Sequence, residues 1–189
     1  MVAAVMSQAT SAGPHLIKVK VNEVHQLFNS MDPSPFHERD LDHDAEQFIV
    51  SWAQEWHLRE PVKVVIHLAK PPENIADPQA LVAESIHNYF SYRAEMTLRE
   101  LKQLMREGRA SLIIGLLFLV TCNILARLLA TGHEHWQGVL REGLTIGGWV
   151  AMWKPLDIYL YRWWPLLRLK RLHKKLSAAD VEVRMAAQN

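Results

Sequence analysis

The chain has 189 residues, a formal net charge of +1 and a single cysteine, Cys122. That length leaves room for one small domain and little beyond it, and one cysteine excludes an intramolecular disulfide framework. The near-neutral charge hides a segregation: eight acids from Asp32 to Glu60 face only Arg39 and Arg59, whereas Arg162 to Lys175 holds six basic residues and no acid.

Residues 1–14 read as a flexible tail closed by Gly13-Pro14, with no basic stretch followed by a long apolar one, so no cleaved signal peptide is expected. Ile17, Val19 and Val21 alternate with polar residues, the period of a half-buried strand. Asp40 or Asp42 is a suitable N-cap for a helix whose apolar positions are Ala45, Phe48, Ile49, Trp52 and Trp56. Pro61 stops that pattern, and the β-branched run Val62 to Leu68 predicts a second strand. Together these predict a cytoplasmic βαβ unit over 15–76, its crossover right-handed if the strands are parallel. Two strands bury little alone, so the sheet needs a following helix or a partner subunit.

Asp77-Pro78 is a helix start, with Asp as cap and Pro in the first turn. Ile86, Phe90, Ala94, Leu98, Leu101 and Met105 then form one apolar stripe, predicting a cytoplasmic amphipathic helix over 77–109. No proline occurs between Pro78 and Pro155. The helix can therefore continue into the next segment as a rod of about 80 Å, with Gly108 the expected bend.

Ala110 to Ala126 carries no charge, and with Arg127 to Ala130 it reaches the roughly 20 residues that a bilayer core requires, giving a first span over 110–130. An outer loop over 131–138 and a second span over 139–161 follow, the latter uncharged from Gly143 to Trp153 and ending in the aromatic run Tyr161-Arg-Trp-Trp164. Arg99, Lys102, Arg106 and Arg109 precede the first span and the basic residues 162–175 follow the second, while the loop from Thr131 to Gln137 has no Lys or Arg, so both termini are expected in the cytoplasm. The fold class expected is thus an α+β membrane protein: a small βαβ unit, a long helix running into a two-helix transmembrane hairpin, and a basic C-terminal helix in a tail over 162–189.

Several residues carry candidate chemistry. Gly143, Gly147 and Ala151 form small-xxx-small steps that permit close helix packing, against Gly115, Cys122 and Ala126 of the first span or against another copy. Asn123, Arg127, Glu142, Lys154 and Asp157 are polar groups within or at the ends of the spans, where ionisable residues are functional candidates. Arg127 and Glu142 sit at similar depth in an antiparallel hairpin and are expected to pair, as are Lys154 and Asp157, three apart on one helix. Arg168, Lys170, Arg171, Lys174 and Lys175 directly follow a span, so anionic lipid headgroups are their nearest partner and nucleic acid is not expected. His37, Asp40, His43 and Asp44, with Asp42, could offer metal ligands, but an acidic helix start accounts for them. His133-Glu-His135 raises the same choice and reads as a polar loop. No phosphate-binding Gly loop and no nucleophile elbow is present, so no cofactor and no catalytic residue is assigned.

Asn29-Ser-Met-Asp-Pro-Ser-Pro-Phe36, Tyr89-Phe-Ser-Tyr-Arg-Ala-Glu95 and Gly147-Gly-Trp-Val-Ala-Met-Trp-Lys-Pro-Leu-Asp157 resemble segments of an uncharacterised family of bacterial two-span inner-membrane proteins. The resemblance covers roughly residues 16 to 165. It implies an inner-membrane location and carries no activity or site residue. The expected function is a non-enzymatic, oligomeric membrane scaffold or accessory subunit in a homo-oligomer or larger complex. The alternatives are a small channel or transporter component with a polar path near Asn123, Lys154 and Asp157, and a tethered metal enzyme using the His37 to Asp44 cluster.

Overall fold

The computed structural model describes residues 13–29, 39–71, 77–129 and 135–185. It divides the chain into two units, one made of residues to Met96 together with those from Leu169 onward, the other of Thr97–Arg168.

In the first unit the alternating residues form β1, His15–Val21, and the β-branched run forms β2, Val62–Leu68. The two are parallel, Ile17 opposite Val64 and Val19 opposite Ile66. Between them lies α1, His43–Glu55, capped by Asp42, whose side chain accepts from the N–H of Asp44 at 3.0 Å. A third strand, β3, Asp180–Met185, pairs parallel with β2, giving the order β1-β2-β3. In sequence this stretch falls within the basic tail expected over 162–189. It is instead the strand that completes the sheet, and it stabilises what two strands could not hold alone.

One face of the sheet is apolar. Ile17, Val19, Val64, Ile66 and Val181 pack with Ala45, Ile49 and Ala53 of α1 and with Val82, Ile86 and Phe90. The last three lie on α2, Pro78–Leu129, whose start is fixed as expected: the Asp77 side chain accepts from the N–H of Ala80 at 3.0 Å. Leu172 and Leu176 of α5, Trp163–Leu176, also enter this core. The opposite face carries Lys18, Lys20, Lys63, His67, Glu182 and Arg184, around a buried Val65.

α2 runs for 52 residues without interruption, through Gly108. It is long and apolar enough to cross a membrane, and only 17% of its apolar window is buried. The core helix of a water-soluble domain would be mostly covered.

Within the second unit α2 is followed by α3, His135–Ala151, the short α4, Trp153–Asp157, and a π-type turn over Ile158–Arg162 that leads into α5. What reads as one span over 139–161 is therefore broken at Met152. Pro155 explains part of the break, because it has no N–H to offer the carbonyl of Ala151. The indole N–H of Trp163 donates to the carbonyl of Tyr159 at 2.8 Å, supporting the π-type turn. α3 begins at His135, so residues expected in the outer loop are already helical.

Candidate functional site: a glycine-lined helix pair and its polar residues

Small residues on α2 recur on one side: Gly108, Gly115, Cys122 and Ala126 are buried, with Leu104 preceding them. Spacings of four and seven keep them on one seam. The helical segment from α3 onward lies against this seam and runs antiparallel to α2. A Cβ placed on Gly148 would stand 3.2 Å from Cys122 Cβ and 3.0 Å from Leu119 Cδ1, and one on Gly115 would stand 3.0 Å from the carbonyl oxygen of Ala151. One on Gly108 would stand 2.9 Å from Ile158 Cγ2. As the α2 partner moves back from Cys122 through Gly115 to Gly108, the opposing residue advances from Gly148 through Ala151 to Ile158. At these three points the absence of a side chain lets the backbones approach, which is how helices gain dispersion energy where burial from water contributes nothing.

Gly115 and Cys122 lie at these approaches, opposite Ala151 and Gly148, and Ala126 is buried on the same side of α2. Gly143 and Gly147 do not face α2: a Cβ on either would meet nothing within 4 Å. Gly148, adjacent to Gly147, occupies the contact instead. Helical phase explains the shift, since neighbouring residues point about 100° apart, and only the position of α2 decides which glycine faces it. Gly108, expected as a bend, is a point of close approach.

Away from the seam the pair is apolar outward: Ile113, Ile114, Leu117, Ile146, Trp149, Val150 and Trp153 are all more than half exposed. Such a continuous exposed apolar surface is far beyond what a water-facing helix pair carries.

Among the described residues, no ion pair joins Arg127 to Glu142 or Lys154 to Asp157, contrary to expectation. Arg127, Glu142 and Lys154 are exposed on the helix surface, where long side chains can extend toward a polar boundary instead of pairing. Asn123 satisfies itself locally, its amide donating to the carbonyl of Leu119 at 2.8 Å. The antiparallel pairing sets Lys154 beside Ser111 and Gly115, near the start of the uncharged run. That is the end of the uncharged run and not its middle.

The basic residues of α5 divide by environment. Arg168, Arg171 and Lys174 are exposed, while Lys170 and Lys175 are half-buried. Lys175 Nζ donates to the carbonyl of His57 at 3.1 Å, and burial pushes its pKa down. The leucines between them face the protein core at Leu172 and Leu176, so this helix is a part of the folded domain and not a free tail.

Further contacts carry no signal in the sequence. Lys63 Nζ meets Asp180 at 2.7 Å and Glu182 at 2.9 Å, and Arg184 Nε donates to Glu182 at 2.6 Å. These hydrogen bonds, from Arg184 first and Lys63 second, hold the Glu182 carboxyl well down, from an ordinary 4.5 to about 2. Gln79 pairs with the outer edge of β3, and Arg93 Nε donates to Glu46 at 2.7 Å, tying α2 to α1. Burial, and then a hydrogen bond to Glu46, raises the pKa of Tyr89 beside them. The alternation of Val181 and Val183 was the available signal for β3, but two apolar positions beside a basic helix are too few to distinguish a strand from a tail.

His37, His133 and Glu134 lie outside the described residues. Asp40 stands before α1 and His43 and Asp44 open it, and among the described residues no three His, Cys, Asp or Glu side chains converge to hold a metal ion. No family model, no curated protein and no solved structure matches the chain.

Proposed function

We propose that the chain is a two-span membrane protein that acts as a non-enzymatic scaffold or accessory subunit, with its αβ domain and both termini on the cytoplasmic side of a bacterial inner membrane. One observation carries the two-span part. β2 precedes the apolar helix α2 in the chain and β3 follows α3 to α5, yet β2 and β3 are neighbours in one sheet. A chain that crossed the bilayer once through α2 would leave β3 on the far side. If α2 crosses, the chain crosses back before Asp180, and the segment packed antiparallel on the α2 seam supplies the return.

The orientation rests on the basic residues at the inner ends of both spans, and the bacterial inner membrane on the family resemblance. The scaffold reading rests on the outward Gly143 and Gly147, which leave a small-residue face free on α3 for a second copy or another subunit. The conduction alternative has less support, because Asn123 is bonded within its own helix and Lys154 sits at the end of the span. Affinity purification from the native membrane in mild detergent tests the reading. It predicts that the chain resists alkaline extraction and recovers a second copy or a stoichiometric partner. Release into the alkaline supernatant would contradict the membrane part, and recovery of a lone monomer would contradict the scaffold part.

A further inference from the structure

A cleft of about 370 Å³ opens on the side of the helix pair. Ser111, Ile114, Gly115, Phe118, Ala151 and Lys154 line it. Gly115 and Ala151 are also where the helices approach most closely beside it, so the groove follows from the packing itself. Ser111 already donates its hydroxyl proton to the carbonyl of Gly108 at 3.1 Å, which leaves Lys154 as the one charged group lining the cleft. Lys154 has no carboxylate partner among the described residues, and Asp157 does not bind it.

The pairing of the helices fixes the depth of this groove along α2. Lys154 and Ser111 are at the beginning of the uncharged run, beside Arg109, whereas Phe118 lies two turns farther along it. A cation at the membrane boundary, continuous with an apolar channel running inward, complements a molecule with an anionic head and a hydrocarbon chain. We propose that this groove holds one anionic phospholipid of the cytoplasmic leaflet, its phosphate on Lys154 and an acyl chain along Ile114, Gly115 and Phe118. The site is separate from the basic residues of α5, and it rests on the membrane reading above.

The test uses the purified full-length chain in detergent, supplied with equal amounts of phosphatidylglycerol and phosphatidylcholine of identical acyl chains, with bound lipid counted by native mass spectrometry. Wild type is expected to retain one phosphatidylglycerol in preference to phosphatidylcholine. Lys154→Gln should lower that preference by about fivefold, the worth of one basic residue near an anionic surface. Lys20→Gln, an exposed lysine on β1, should leave it unchanged, and Ile114→Trp, which fills the groove, should abolish retention while helical circular dichroism stays the same. Equal retention of the two lipids by wild type, an undiminished preference in Lys154→Gln, or a lipid-free dimer that protects the groove would overturn the lipid site and leave the membrane reading standing. A chain that stays dispersed without detergent and retains neither lipid would overturn both.

Discussion

Lys63 on β2 and Glu182 on β3 meet at 2.9 Å, although every residue of the apolar helix pair lies between them in the chain. Their contact belongs to the strand pairing that, if α2 crosses a membrane, requires the chain to return to the side from which it left. It also makes the attachment of β3 sensitive to acid. Folding lowers the Glu182 carboxyl from 4.5 to about 2, through hydrogen bonds from Arg184 and Lys63. A depressed carboxyl contributes stability that is full above about pH 4.5 and drains away as pH falls toward about 2. Hydrogen exchange of the β3 amides should therefore accelerate across that window, and Glu182→Gln should remove the dependence. An unchanged pH profile in the variant would place the acid sensitivity elsewhere.

Gln79 secures the other side of the same strand. Its Nε2 donates to the carbonyl of Val181 and its Oε1 accepts from the N–H of Val183, both at 2.6 Å. The side-chain amide takes the place that a neighbouring strand's peptide would occupy, and it blunts an edge open to pairing with other chains. Gln79→Ala should destabilise the domain by about 1 to 3 kcal/mol, the sum of two ordinary hydrogen bonds. It should also expose the Val183 amide to faster exchange and raise the tendency to aggregate. Exchange at Val183 equal to wild type would show that the clamp is dispensable.

Gly148 and Gly147 separate two roles that one motif suggests. Gly148→Leu forces a side chain against Leu119 and Cys122, and overpacking of that kind costs about 1 to 3 kcal/mol. Crosslinking between cysteines placed on α2 and α3 should fall in that variant. Gly147→Leu points into open space, so it should leave the intrachain crosslink intact and reduce association between copies or with a partner subunit. If both variants lose the intrachain crosslink equally, the antiparallel seam assigned to Gly148 is misplaced.

Local signals were the legible ones. Alternation found β1, the β-branched run found β2, Asp77-Pro78 found the start of α2, and the absence of proline to Pro155 foretold its length. Each depends on neighbours in sequence. β3 was not legible because its reason for being a strand is β2, far away in the chain. The identity of the glycine at the helix contact was hidden for a related reason. Gly147 and Gly148 have the same composition and context, and only the position of α2 selects between them. The expected ion pairs failed on exposure: Arg127, Glu142 and Lys154 stand on the outer surface, where pairing would cost the freedom of long side chains for little return.

Site-directed labelling tests whether the chain crosses the membrane twice between β2 and β3. In a Cys122→Ser background, single cysteines introduced at residues 10, 132 and 187 are treated in intact cells with a membrane-impermeant maleimide. Labelling is expected at 132 alone, with residues 10 and 187 reacting only after the membrane is opened. Labelling at either 10 or 187 but not both would contradict it, because β2 and β3 could not then share a sheet, and protection of all three positions would mean that the helix pair does not cross.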